Sequence, residues 1–279
     1  MATMTELHSR PITTNIGSVI EGIDLSEPLC PRDRDFIGSE LYNRGVVFFR
    51  GQDLNGEQMK AFVSNFAKLQ AAKFTGAAKD DTGLVADFGA TKQFTAIWHA
   101  DGTFAEEPVL FTALRAVSVP DVGGDTCWSS MYAAYEALSE PMRAMLDGLT
   151  AIHSVEPVVR RLGAMGQAYG ERAREMFGAE HAHPAVLIHP DTGRKALYVN
   201  SSWTTRIVEL TAAESAKMLD LLFEHIKQPD FCMRWHWSPT DMVIWDNRCV
   251  QHYAVPDYAG QRMMQRVDTE GQKPCGIDD

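Results

Sequence analysis

The segment Phe94-Thr95-Ala96-Ile97-Trp98-His99-Ala100-Asp101-Gly102-Thr103-Phe104 carries the residue types best able to do chemistry. His99 and Asp101 stand two positions apart, and on a strand residues i and i+2 point to the same face. Read as the end of an aromatic-rich strand, the pair can reach one point in space. An imidazole, a carboxylate and a second imidazole from elsewhere form a facial set that leaves positions open on an Fe(II) ion. The spacing alone is weakly specific. With nine histidines, about one such pair is expected by chance, and a second, His189-Pro190-Asp191, is present. That rival lies in a Pro-Asp-Thr-Gly turn, where Asp191 is expected to bond its own backbone. On spacing, two readings of His99 and Asp101 stand: a ligand pair, or a strand end at the surface.

His252 offers the further imidazole. It follows the strand-then-turn pattern of residues 242–248 and precedes two arginines, Arg262 and Arg266. Their spacing looks helical, yet it also puts both on one face of a strand. A cosubstrate such as 2-oxoglutarate, chelating iron at one end, needs a cation for its far carboxylate, and the arginine fork suits that task. A surface ion pair is the other reading. Among the remaining histidines, His8 is expected in a mobile tail, His181 and His183 in a loop and His225 on a helix. His153 and His236 are expected on strands as packing residues.

The elements that must position these residues are short. Residues 12–25 read as extended segments. Residues 33–44 and 56–69 read as helices, the second with Met59, Phe62, Phe66 and Leu69 on one core face. Residues 46–49 form an apolar run suited to a buried strand. Further β-like runs fall at 94–98, 109–117, 185–188, 195–199, 231–235 and 242–245, with helices at 131–147, 156–177 and 211–227. Residues 71–93 are rich in Gly and small side chains without a clean period, and such long loops are often lids or else disordered. The pattern predicts a mainly β fold with added helices, a sandwich or jelly-roll barrel, in one domain over residues 1–279. No glycine-rich phosphate loop follows any strand, which disfavours a doubly wound parallel sheet.

Composition sets further limits. A hydrophobic fraction of 45% and a charged fraction of 23% are ordinary for a globular protein. The net charge of −11 works against a nucleic-acid partner, which needs concentrated basic residues. No apolar run approaches the roughly 18 residues needed to span a bilayer, and the first residues lack a secretory h-region. The expectation is a cytoplasmic protein with no membrane partner. Five scattered cysteines without a CxxC pair predict reduced, mostly buried thiols.

In several ordered motifs the chain resembles the taurine/phenoxyacetate dioxygenase (TauD/TfdA) family of Fe(II)/2-oxoglutarate oxygenases. These are VIEGIDL from Val19, VVFFRG from Val46, WHADGTF, Gly123-Gly124-Asp125-Thr126, Trp245-Asp246-Asn247-Arg248 and QHYAVPDY leading to Arg266. The resemblance implies a double-stranded β-helix, that is, a jelly-roll core. It implies His99, Asp101 and His252 as catalytic iron ligands, and Thr126 and Arg262 as holders of the 2-oxoglutarate C5 carboxylate. Arg266 is implied to face the acidic group of the primary substrate, or else to assist Arg262. The implied cofactor set is Fe(II), 2-oxoglutarate and O2. The implied reaction hydroxylates a C–H bond and releases succinate and CO2, with cleavage where the hydroxylated carbon bears a leaving group. A homo-oligomer is also expected.

Departures from the family's taurine enzymes bear on the substrate. Thr95 stands where those enzymes place an Asn, and Gln70 or a near neighbour where they place a His. Both changes remove sulfonate-binding groups. The segments 130–138, 189–200 and 254–260 look closer to the aryloxyalkanoate branch. The expected partner is a small anionic organic substrate: an aryloxy or alkyl carboxylate in first place, with sulfonates and sulfate esters also admitted. Phe74 and Phe88 are candidates for apolar walls in the lid, and Trp203 and Arg206 for the pocket border. A metal-dependent hydrolase of cupin type is one other class, but it leaves Arg262 and Thr126 unexplained. A non-catalytic acid-binding barrel is another, and it does not need the complete His99/Asp101/His252 set.

Overall fold

The computed structural model describes residues 6–71, 80–89 and 96–277. Its largest sheet is built around Val46–Phe49, in which all four side chains are buried. This strand runs antiparallel to Met242–Asp246 and parallel to Ser18–Glu21. Burial on both faces explains the unbroken apolar run. The order across the sheet is His8–Pro11, Ser18–Glu21, Val46–Phe49, Met242–Asp246, Phe111–Ser118, Met263–Thr269 and Leu69–Gln70, with Ala86–Gly89 also pairing with Met263–Thr269.

The two-residue period of the strands divides this sheet between two cores. Val46, Phe48, Leu114, Val243, Trp245 and Met264 point into one, which is closed by Trp128 and Trp235 from a second sheet. That sheet has the order Cys232–Trp235, Thr126–Ser130, Val250–Ala254. Val47, Phe49, Phe111, Ala113, Met242 and Ile244 point the other way, toward the helices Pro31–Arg44 and Gly56–Val63. A third, smaller cluster joins Phe104 and Trp203 to Val158 and Val159 of the helix Glu156–Leu162. A further three-stranded sheet, Thr204–Ile207, Thr150–Ser154 and Glu180–Pro184, stands beside it. The architecture is β-rich with several helices, as the sequence predicts.

Boundaries differ where local polar chemistry competes with the helix. The helix expected over 56–69 ends at Val63, because Asn65 Nδ2 donates to the Ala61 and Phe62 carbonyls. Leu69–Gln70 is then a short strand. The segment 131–147 is two helices, Met131–Glu136 and Glu140–Leu146, the second entered through Pro141. The segment 156–177 breaks at Gly163, whose φ of +53° no helix interior accepts. Among the described residues, no helix is long and apolar enough to cross a membrane.

The strand expected over 94–98 is a correction. Residues 94 and 95 lie outside the described residues, and residues 96–97 are a bend. His8 is not in a tail but on the strand His8–Pro11, paired with Glu21 at 3.0 Å. His181 and His183 are on a strand rather than a loop. His153 is on a strand and buried, as expected, whereas His236 is exposed just after one and contacts Asp125 at 2.8 Å.

Candidate metal centre

His99 is held by an isolated antiparallel bridge: its N–H donates to the His252 carbonyl at 3.1 Å, and the His252 N–H donates back at 2.8 Å. The bridge alone places the two imidazoles side by side, with ring centroids 4.1 Å apart. Asp101 does not extend a strand. It opens a turn whose next residue, Gly102, has φ +69°, and its N–H donates to Asn247 Oδ1 at 3.1 Å. The turn swings the carboxylate toward both rings, with Oδ1 3.7 Å from His99 Nε2 and Oδ2 3.8 Å from His252 Nε2. One ligand atom from each of the three residues lies within 4.8 Å of the others. Ligand atoms about 2.1 Å from one divalent ion stand roughly 3 Å apart, so a small closure seats an ion.

The donor set fits such an ion. His99 Nδ1 lies 2.7 Å from the Ile97 carbonyl, which makes it the protonated nitrogen and leaves the Nε2 lone pair facing Asp101. Burial lowers the His99 pKa, and burial with the neighbouring His99 pushes His252 down to about 3. Both imidazoles are therefore neutral and able to ligate at neutral pH. Burial opposes charge on Asp101, but the Arg266 guanidinium, with help from the Thr112 hydroxyl, holds its carboxyl well below the usual range. Two neutral imidazoles and one carboxylate suit Fe(II).

Behind Asp101 lies a network that the sequence reading missed. Thr112 Oγ1 is 3.0 Å from Asp101 Oδ2 and 3.0 Å from Asp268 Oδ1, and it accepts from Asn247 Nδ2 at 3.1 Å. Trp245 Nε1 donates to Asn247 Oδ1 at 3.0 Å. Arg266 reaches Asp101 Oδ2 at 3.2 Å through Nη2 and both oxygens of Asp268 at 2.9 and 3.0 Å through Nε. Arg266 and Asp268 share one face of the strand Met263–Thr269, a spacing that was there to be read. The two carboxylates raise the Arg266 pKa despite its burial.

Arg262 has different company. Its Nε donates to the Gly124 carbonyl at 3.0 Å and its Nη2 to Thr126 Oγ1 at 3.4 Å, and its guanidinium lies 5.9 Å from the Trp237 ring centre. Among the described residues no carboxylate forms an ion pair with it, and burial lowers its pKa. The Gly123-Gly124 pair permits this approach. Both have positive φ, and a Cβ on Gly123 would stand 2.6 Å from the Asp257 carbonyl oxygen. Trp237 Nε1 also donates to Thr126 Oγ1, at 3.0 Å.

The structure separates the remaining candidates. Gln70 sits at the sheet edge opposite Asp268. Thr95 and Phe74 lie outside the described residues, as does most of the expected lid at 71–93, and Phe88 is described only as part of a strand. Trp203 is buried and donates through Nε1 to the Ala100 carbonyl at 3.0 Å, behind the site. Arg206 is at the surface 3.8 Å from Glu180, which removes it from the pocket border. The rival His189 lies with Asp246 and Cys249 in a second buried cluster. There Asp246 already accepts from His189 Nε2 at 3.0 Å and from Arg248 through Nε at 2.9 Å and Nη2 at 2.6 Å. The Arg248 guanidinium already neutralises that carboxylate. Asp191 pairs with Arg248 at 3.0 Å rather than with its own backbone.

Comparison with known proteins identifies the family. Residues 8–267 match the family model described as taurine catabolism dioxygenase TauD, TfdA family. An alpha-ketoglutarate-dependent sulfate ester dioxygenase from Pseudomonas putida is 36% identical, over 98% of this chain and 92% of its own length. An alkylsulfatase from Acinetobacter baylyi is 34% identical, over 97% and 87%. An alpha-ketoglutarate-dependent 2,4-dichlorophenoxyacetate dioxygenase from Cupriavidus pinatubonensis is 31% identical, over 94% and 96%. The crystal structure of AAD-2 with Mn(II) and N-oxalylglycine superposes with a TM-score of 0.84 at 29% identity, covering 97% of this chain and 99% of that one. The chain belongs to the TauD, TfdA family and is an alpha-ketoglutarate-dependent dioxygenase.

Proposed function

We propose that His99, Asp101 and His252 hold the Fe(II), that Arg262 and Thr126 hold the far carboxylate of 2-oxoglutarate, and that the primary substrate is an alkyl sulfate ester. Bound iron, 2-oxoglutarate and O2 supply oxidative decarboxylation to succinate and CO2 with hydroxylation of a substrate C–H bond. The protein's share is orientation and exclusion. The bridge between His99 and His252 and the Asn247 bond to the Asp101 amide fix the facial set. A buried guanidinium with no carboxylate partner among the described residues is a seat prepared for an anion, and Thr126 adds a hydroxyl to it. The framework we assign is the jelly roll, with the metal site between its two sheets. Arg266, restrained by Asp268, is the cation beside Asp101, and we assign it to the acidic group of the substrate.

The substrate class rests on one observation: two relatives, at 36% and 34% identity, are named for sulfate ester chemistry, against 31% for the aryloxyacetate enzyme. Gln70 and Thr95, in place of sulfonate-binding groups, support the move away from taurine. Hydroxylation at the carbon bearing the sulfate oxygen leaves a product that separates into an aldehyde and sulfate. Substrate-stimulated succinate release should be measured with a medium-chain alkyl sulfate, an aryloxyacetate and taurine. The alkyl sulfate is expected to give the highest kcat/KM. A higher value for either of the others contradicts the assignment.

A further inference from the structure

The turn that carries Asp101 is gripped from outside the metal centre by buried polar side chains that the chemistry itself does not use. His183 Nε2 lies 3.0 Å from both the Thr103 and the Ala105 carbonyls. Both are acceptors, so Nε2 carries the proton and one ring clamps two carbonyls of the turn. The Thr103 hydroxyl lies 2.9 Å from His153 Nδ1 and 3.0 Å from Asn200 Nδ2. Asn200 Oδ1 accepts from the Trp203 N–H at 3.0 Å, which settles its amide orientation and makes Nδ2 the donor to Thr103. The Thr103 hydroxyl thus joins His153 Nδ1 to Asn200 Nδ2, and His153 Nε2 lies 3.3 Å from Thr204 Oγ1.

These groups are deeply buried. Thr103 and His153 are 0% exposed, Asn200 1% and His183 2%. Apolar residues in the same space avoid the desolvation cost that each polar group brings. His183 Nδ1 makes no hydrogen bond among the described residues, so part of that desolvation cost is left uncompensated. What it gains is a direction. The bonds of His183 Nε2, His153 Nδ1 and Asn200 Nδ2 all end on Thr103 or Ala105, and Thr103 is two residues after Asp101 in a turn that has no strand partner of its own.

We propose that His153, Thr103, Asn200 and His183 form a positioning device for Asp101. They fix the turn so that the carboxylate is already aimed at the point where the two imidazoles meet. The device rests on the reading of Asp101 as a metal ligand. It lowers the cost of metal binding by removing the need to order the turn when the ion arrives.

The test is anaerobic titration with Mn(II), followed by the loss of the free-ion EPR signal, on the wild type and on Asp101→Ala, Thr103→Val and Thr103→Ser. Thr103→Val keeps the shape and removes the hydroxyl, and it should raise the Mn(II) Kd by about 10- to 100-fold. Thr103→Ser keeps the hydroxyl and should restore it to within about 3-fold of the wild type, which a loss of packing alone would not do. Where Thr103→Val fails to fold, His183→Leu and His183→Gln give the same contrast, because Gln retains a donor. An unchanged Kd in Thr103→Val, with Asp101→Ala binding no Mn(II), overturns the positioning role and leaves the ligand assignment intact. Unaltered binding in Asp101→Ala overturns the assignment beneath it.

Discussion

Arg262 and Arg266 sit four positions apart near the end of the chain, the first buried and the second largely so, and the fold gives them opposite surroundings. Arg262 contacts a carbonyl, a hydroxyl and an indole, and no carboxylate among the described residues forms an ion pair with it. Arg266 lies between two carboxylates, Asp101 and Asp268. A buried cation without a counter-ion is costly, and the cost is recovered only when an anion binds. A cation between two carboxylates is settled in the folded protein itself. The first is arranged to receive a ligand. The second is arranged to hold the Asp101 carboxylate that we assign to the metal, and whatever it offers a substrate is offered under restraint.

The contrast can be broken most forcefully at Arg266. Arg266→Ala leaves Asp101 and Asp268 buried without their shared partner and should destabilise the protein by about 3–5 kcal/mol, read as a fall in the urea midpoint. Asp268→Ala in the same chain should recover part of that loss. Arg262→Ala should cost fold stability little, because it removes a desolvated charge. It should instead weaken 2-oxoglutarate by about 2–3 kcal/mol, roughly 30- to 150-fold in KM, while the primary substrate KM moves little. If the two variants show the same pattern, the distinction between the arginines fails.

A pH series on the metal-free protein probes the buried imidazoles of the site and of the turn beside it. Burial depresses His252 to about 3 and His183 to about 4, below the ordinary 6.5. Below pH 6.5 the unfolded chain binds protons at these rings that the folded protein does not. Stability is therefore full above pH 6.5 and falls as pH drops toward the folded values, by about 1 kcal/mol per pH unit per ring. Thermal unfolding between pH 7 and pH 5 should show the loss, and a flat profile contradicts the neutral buried rings. Smallest is Thr126→Val, which removes one hydroxyl from the Arg262 seat. It should raise the 2-oxoglutarate KM about 5-fold, from about 1 kcal/mol.

The comparison also shows what the sequence could reveal. His99, Asp101 and His252 were legible because residue type and motif order survive without coordinates. The pair converges through a turn after a single bridge, not along a strand as its two-residue spacing suggests. Asp268 was within reach, since it stands two residues from Arg266 on one strand face. Thr112, His153, His183 and Asn200 were not, because ordinary polar side chains acquire a role only when distant strands are packed together. His189 and Asp191 had the right spacing but met Arg248, a partner that no local pattern announces. Helix ends were misjudged where a side chain competed for backbone carbonyls, as at Asn65.

The most direct test of the central claim is an anaerobic absorption spectrum of the protein with Fe(II) and 2-oxoglutarate, compared with Asp101→Ala and Arg262→Ala. The account predicts a visible metal-to-ligand charge-transfer band in the wild type. It predicts none in Asp101→Ala, and one in Arg262→Ala that appears only at much higher 2-oxoglutarate. Absence of the band in the wild type, or its persistence in Asp101→Ala, contradicts the assignment of the metal centre.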